Sequence, residues 1–422
     1  MKKMTSIYKR GLLIWSVAVF YYLYQYIIRV SPSVMVDDLM FSFRLDAKWL
    51  GYLVATTTFF YALVQIPIGV LSDLFGARRL ILYSLVACIL GVGAVAYTEN
   101  LALAFLGRAL IGVGSAAGFI CVSKIASDWF PVSQKAVWFA LTILMGTAGA
   151  ILGYAPLAKL TDAVGWRSAL WYLTALGGVV FVINLAFLRN RESEVTQVIL
   201  RSDVIRQIKD VLRSKFAWMY AITALGMYLP ISVFADLWGV PFLTLKYGLS
   251  KEVAATILSW AYVGTCGGVI FVAMISNMLN GVKLLIAVAS ALVTGLMTII
   301  VFAPDLSQTT LSVLLVTLGV AVGGEILCFS KVCQENDIRV AATITGFLNF
   351  IVTLGAAFVQ QFVGWLIKLL WDGRVAENGL PLYRVEDYQQ SMILVIVISL
   401  TSFVLAFFLP DKNPHFLQAD SK

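Results

Sequence analysis

Four charged residues sit where charge is expensive. Arg29, Arg108, Asp236 and Glu325 each fall inside a long apolar run. A charge at membrane depth is tolerated where it faces protein, water or a partner of opposite sign. Arg29 shares one helical face with Tyr22, Gln25 and Tyr26, which recur at i, i+3, i+4 and i+7. Tyr228, Ser232 and Asp236, spaced by four, form a second polar stripe. Arg29 lies 18 residues beyond Gly11, about 27 Å along a helix rising ~1.5 Å per residue. Asp236 lies 20 residues beyond Phe216, at a similar depth. Each half of the chain thus offers one charge, of opposite sign, at matching height. Across a wet cavity such a pair could clasp a carboxylate and an ammonium. It could also close on itself as a salt bridge that substrate displaces.

Further polar residues extend the set. Glu325 follows Gly323 and Gly324, and Ser115 holds a comparable place after Gly112 and Gly114. A carboxylate inside a span can carry a proton, which makes Asp236 and Glu325, with Arg108, candidates for proton coupling. Glu325 could instead be satisfied by Arg108, Lys124 or a helix end. Asn349 and Thr353 share a face, Gln360 returns near it three turns on, and Trp238, Trp260 and Tyr262 could supply apolar walls. All of this is binding chemistry. The single histidine, His415, lies in the tail, and the five cysteines form no CxxC pair and read as small apolar residues. No HExxH is present and no Ser/His pair can form inside a span. The expectation is no enzyme, no metal and no cofactor.

The elements that must position these residues are membrane helices. The 422 residues are 60% hydrophobic and 13% charged, with mean hydropathy +0.89, whereas a soluble chain is about a quarter charged. Lipid is therefore the solvent for most of the chain. Twelve apolar runs are long enough to span: 12–36, 47–71, 79–98, 101–127, 135–158, 168–188, 216–244, 252–276, 284–303, 309–330, 340–370 and 389–409. The basic N-terminus before the first run resembles a signal peptide, but the run continues past Val30 with no small-residue cleavage site and is kept as a helix. The charged stretch 189–215 is a solvated linker or a helix lying on the membrane face. The expected organisation is an N-terminal six-helix bundle (1–190), a cytoplasmic linker (191–215) and a C-terminal six-helix bundle (216–422). Placing the N-terminus inside puts twenty lysines and arginines on the inner side and nine on the outer. Both termini are therefore expected in the cytoplasm. The net charge of +8 follows this topology, so nucleic acid is not an expected partner. The prediction is an all-α, multi-pass protein of a cell inner membrane, with twelve transmembrane helices in two pseudo-symmetric bundles.

The loop after the second span reads Gly69-Val70-Leu71-Ser72-Asp73-Leu74-Phe75-Gly76-Ala77-Arg78-Arg79, and a degenerate copy, Ser276 to Lys283, follows the eighth. The first resembles GxLxDxxGxRR, the signature loop of the major facilitator superfamily (MFS). Arg108-Ala109-Leu110-Ile111-Gly112-Val113-Gly114 resembles the family's RxxxGxG motif. Gly146 to Gly153 is a partial match to its glycine-rich fifth span, without the usual Gly-Pro pair, and Gly165-Trp166-Arg167 is another frequent feature. The resemblance implies the MFS fold and a secondary transporter working by alternating access. It also implies a gating role for Gly69, Asp73, Gly76, Arg78 and Arg79, with Asp128 as acidic partner. Ala77 stands where arginine is frequent, so Arg78 is expected to take that role.

The first span, Tyr26-Ile27-Ile28-Arg29-Val30-Ser31-Pro32-Ser33, is similar to the YxDRxxxS pattern of organic-anion carriers of the superfamily, in which the arginine binds a carboxylate. Ile28 and Ser115 replace the usual coupling acids. Arg29 to Met35 also resembles the phagosomal-transporter permeases of intracellular bacteria, which implies uptake of amino acids or nucleosides. The expectation is an importer of a small polar metabolite, an amino acid or similar zwitterion, by proton symport, as a monomer in the lipid bilayer. The alternatives are an organic-anion or sugar-acid carrier, a drug exporter and a non-transporting nutrient receptor.

Overall fold

A computed structural model describes residues 2–131, 134–190, 209, 211–278, 282–335, 338–377 and 379–409. Most of the 191–215 linker, part of the second copy of the signature loop, and the tail with His415 lie outside the described residues, as does the side chain of Asp73. Among the described residues, eleven helices are long and apolar enough to cross a membrane. The helix Ala47–Phe75 adds a further element of spanning length, 29 residues. An isolated bridge between Val375 and Pro381 is the one β pairing described.

The chain forms two compact units, Met1–Thr196 with Ser250–Thr256, and Gln197–Leu249 with Ile257–Lys422. The first contains α1 (Lys2–Val30), α2 (Val36–Phe43), α3 (Ala47–Phe75), α4 (Ala77–Tyr97), α5 (Leu101–Ser115), α6 (Ala117–Trp129), α7 (Lys135–Leu152), α8 (Ala155–Val164) and α9 (Trp166–Phe187). The second contains α10 (Lys215–Leu229), a π-helical run (Pro230–Trp238), α11 (Gly239–Tyr247), α13 (Val282–Phe302), α14 (Gln308–Val322), α15 (Ile326–Glu335), α16 (Ile338–Leu370) and α17 (Val385–Ala406). The helix α12 (Lys251–Met278) has its first turn and a half in the first unit and the rest in the second.

Runs that read as continuous spans are broken in the folded chain, and proline explains three of the breaks. Proline lacks an N–H and displaces the carbonyl four residues back. Pro32 ends α1, and a 3-10 turn, Ser31–Val34, follows. The Ser31 hydroxyl donates to the Ile28 carbonyl that Pro32 cannot serve, at 3.0 Å. Pro230 opens the π-helical run, and the freed Gly226 carbonyl accepts from the Ser399 hydroxyl of α17 at 2.7 Å. Pro156 sits in the first turn of α8, after the break at Gly153 and Tyr154. In the tenth span, Gly323–Glu325 form a 3-10 turn between α14 and α15.

Candidate substrate-binding and coupling site

Arg29 occupies the last turn of α1, and small residues decide how that helix is seated. Gly146 and Gly149 of α7, and Gly153 just past its end, lie at i, i+3 and i+7 and face α1. A Cβ at Gly146 would strike the rings of Tyr22 and Tyr26. One at Gly149 would strike the Leu23 backbone, and one at Gly153 the Val30 side chain. Gly118 of α6 faces the other side of Tyr22. The glycine-rich fifth span is therefore the groove that holds the polar stripe. Tyr22 and Tyr26 meet edge to face, with ring centroids 5.2 Å apart. Tyr22 and Gln25 are buried, while Tyr26 and Arg29 are half-buried. The stripe thus starts in the core and opens toward the arginine. The Gln25 carbonyl oxygen is buried with no hydrogen-bond partner.

The Arg29 guanidinium lies over two aromatic faces, 5.0 Å from the Tyr26 centroid and 4.8 Å from that of Tyr61 on α3. A ring face attracts a cation electrostatically. Tyr61 escaped the sequence reading. Its signal was Gln65 one turn further on, a polar pair at i, i+4 in an otherwise apolar stretch.

Asp236 lies in the π-helical run, the kind of helix defect that recurs at functional sites. Its Oδ1 accepts a hydrogen bond from the Tyr262 hydroxyl of α12. Tyr262, expected as an apolar wall, is a polar partner instead. Ser232 is buried, and its carbonyl accepts from Gln360 Nε2 at 3.1 Å, while the Gln360 carbonyl oxygen is buried without a partner. Tyr228 packs against the apolar core of the second unit. Asn349 is half-buried, one turn from Thr353, whose hydroxyl donates to its carbonyl. Within the second unit the structure therefore joins Ser232 to Gln360 and Asp236 to Tyr262. Trp238 is fully buried and packs near Tyr388, and Trp260 is 41% exposed.

The coupling candidates are held differently. Glu325 is half-buried in its 3-10 turn, and Gly324 beside it packs against Ala289 and Met227. Arg108 on α5 is buried, and its Nη2 donates to the Val54 carbonyl at 3.4 Å. It lines a small cavity with Ser31, Pro32, Leu53, Val54 and Ile111. Gly112 sits so close to the Thr57 backbone of α3 that no Cβ fits, which fixes the height of Arg108.

At the signature loop, Gly76 has φ +77° and joins α3 to α4, a conformation that glycine adopts without strain. The Arg78 amide donates to Asn190 Oδ1 at 2.9 Å, and Arg78 Nη2 donates to the Leu185 carbonyl at 3.1 Å, tying the loop to the end of α9. Arg79 is exposed, Asp128 is half-buried, and a Cβ at Gly69 would meet open space.

The sequence profile of the Major Facilitator Superfamily matches residues 14–360. The MFS-type transporter TwmF of Talaromyces wortmannii is 30% identical over 185 residues, 43% of this chain and 34% of that protein. The probable galactarate/D-glucarate transporter GarP of Escherichia coli K12 is 26% identical over 174 residues, 38% of this chain and 37% of that protein. The chain thus spans about a third of the length of these curated relatives. The crystal structure of a bacterial homolog of the human lysosomal transporter Spinster superposes with a TM-score of 0.77 at 16% identity, over 95% of this chain and 97% of that one. These relatives are transporters, not enzymes. The chain belongs to the Major Facilitator Superfamily, and its fold is that of the superfamily's secondary transporters.

Proposed function

We propose that this transporter imports an amino acid or similar small zwitterion, by proton symport and alternating access. It would act as a monomer in a cell inner membrane with both termini cytoplasmic, the orientation that the lysine and arginine bias favours. The observation that carries this reading is the paired treatment of two opposite charges. Arg29 and Asp236 each sit at a proline-broken helix, each contacted by a tyrosine from the following span. Arg29 would take the carboxylate and Asp236 the ammonium. Tyr22, Gln25, Tyr26, Tyr228, Ser232, Asn349 and Gln360 would complete the recognition. Asp236, Glu325 and Arg108 would handle the coupled proton. Gly69, Asp73, Gly76, Arg78, Arg79 and Asp128 would gate the cycle.

The similarity to GarP favours a second reading, a sugar-acid anion that needs Arg29 alone. Uptake into proteoliposomes separates the two. For a zwitterion, Arg29→Lys and Asp236→Asn each abolish uptake, because Lys cannot reproduce the planar fork of Arg. For a sugar acid, Arg29→Lys is damaging and Asp236→Asn is tolerated. Normal amino-acid uptake by either variant overturns the zwitterion reading. Absence of counterflow with every substrate tried would point to a receptor on the same fold.

A further inference from the structure

A groove of about 560 Å³ runs between α3 and α4 of the first unit, and none of the residues proposed for substrate or proton lines it. Its lining is apolar apart from Arg79, the Tyr83 hydroxyl and Ser84. Pro67 is on its wall and in the interior of α3, where proline removes a helical hydrogen bond and bends the axis. This accounts for a gap between two helices that are consecutive in the chain and joined at Gly76. Val64, Ile68, Leu71 and Phe75 recur at i, i+4, i+7 and i+11 on one face of α3, and Arg79, Tyr83 and Ala87 at i, i+4 and i+8 on one face of α4. From Phe75 back to Val64 the groove runs about 16 Å, at ~1.5 Å per residue. That is the depth of one leaflet of a hydrocarbon core about 30 Å thick. Leu71, Phe75 and Tyr83 are exposed, so the groove is open at its side.

The end of the groove at the signature loop is basic. Arg79 is exposed there. Among the described residues it forms no ion pair, and the first turn of α4 carries no acid. Tyr83, one turn further in, is 71% exposed and is of the amphipathic ring type that collects at headgroup depth. We infer that this groove is a binding site for an anionic glycerophospholipid of the leaflet on the signature-loop side. One acyl chain lies between α3 and α4, and the phosphate pairs with Arg79. The chain passes from one apolar medium to another on entering, so preference among lipids rests on the headgroup. The phosphate of a zwitterionic lipid is offset by its own ammonium, and that of phosphatidylglycerol is not. One arginine beside an anionic headgroup therefore favours phosphatidylglycerol by about fivefold.

Native mass spectrometry of the purified full chain in detergent tests this, with dioleoyl phosphatidylglycerol, dioleoyl phosphatidylcholine and inorganic phosphate as probes. The tightest lipid adduct should be a single phosphatidylglycerol, bound about fivefold more tightly than phosphatidylcholine, and inorganic phosphate should not displace it. Arg79→Gln should bring phosphatidylglycerol down to the level of phosphatidylcholine. Ala87→Trp, which fills the groove and keeps the arginine, should weaken the first adduct of both lipids. The wild-type comparison and Ala87→Trp carry the test should Arg79→Gln fail to fold. Equal binding of the two lipids by the wild type, a preference retained in Arg79→Gln, or a first adduct unchanged in Ala87→Trp would each overturn the proposal. So would displacement of the lipid by inorganic phosphate, or a dimer of the chain that Ala87→Trp dissolves.

Discussion

Replacing Ser399 with alanine tests how the second unit tolerates the proline that shapes its candidate site. Pro230 cannot donate to the Gly226 carbonyl, and the Ser399 hydroxyl supplies that bond at 2.7 Å. Both residues are buried. Interhelical hydrogen bonds in membranes average about 0.6 kcal/mol and reach about 1.7. Here the carbonyl has lost its helical donor, so removing the hydroxyl leaves a buried acceptor unpaired, which costs about 1–3 kcal/mol. We therefore expect Ser399→Ala to cost about 1–2 kcal/mol, read as a shifted midpoint in reversible SDS unfolding. Pro230→Ala restores an N–H at the right position. In that background Ser399→Ala should cost less than about 0.5 kcal/mol, giving a coupling of about 1 kcal/mol in the double-mutant cycle. Ser402 is the control. Its hydroxyl reaches the Ile222 and Ile398 carbonyls at 3.3 and 3.4 Å, long bonds to groups not freed by proline, so Ser402→Ala should cost less than Ser399→Ala. An equal cost of Ser399→Ala in both backgrounds would refute the proline account and leave packing between α10 and α17 as the cause.

Gly149→Leu should abolish transport and lower expression, because a side chain there collides with the Leu23 backbone, whereas Gly178→Leu on α9, where nothing lies within 4 Å, should leave both unchanged. Tyr61→Phe should keep uptake within about threefold because the ring face stays over Arg29, while Tyr61→Leu, which removes an interaction worth about 0.5–2 kcal/mol, should cost up to about thirtyfold in KM. Tyr262→Phe should cost at least about tenfold, since Asp236 loses a hydroxyl donor. In the loop before α17, partial desolvation pulls the Asp372 carboxyl upward, but the Arg374 backbone N–H and the guanidinium groups of Arg374 and Arg384 outweigh it and hold the pKa below the usual carboxylate range. This contribution is present at neutral pH and is lost as pH falls through that lowered pKa. Protection of the loop amides, corrected for intrinsic exchange, should therefore be lost in the wild type only as pH falls below the usual carboxylate range, and should already be low at pH 7 in Asp372→Asn.

Spans were legible because hydropathy is additive over about 20 residues. The breaks within them were not, because a window that long averages over the few residues where the backbone departs from a helix. The prolines at 32, 156 and 230 were visible in sequence. Their consequences depended on whether a neighbouring hydroxyl could take the freed carbonyl. Ser31 is local and could have been read, whereas Ser399 lies 173 residues from Gly226. The glycine-rich fifth span was readable as close packing, but its partner was not. The sequence pattern was a partial match to the family's glycine-rich motif, and the structure shows Gly146 and Gly149 seating the tyrosine stripe of α1. The spacing of Tyr228, Ser232 and Asp236 assumed an α-helical turn, and the π-helical run changes that turn at Ser232 and Asp236.

The tyrosines explain why one architecture can present charges of either sign. In the first unit the cation on the first span meets the face of Tyr61 on the second span. In the second unit the anion on the seventh span meets the hydroxyl of Tyr262 on the eighth. The same residue type serves at pseudo-equivalent places because its ring face is electron-rich and its hydroxyl is a donor. Neither contact neutralises the charge it touches, as an acid or a base there would. A tyrosine contact therefore orients the charge it touches without adding a formal charge of its own.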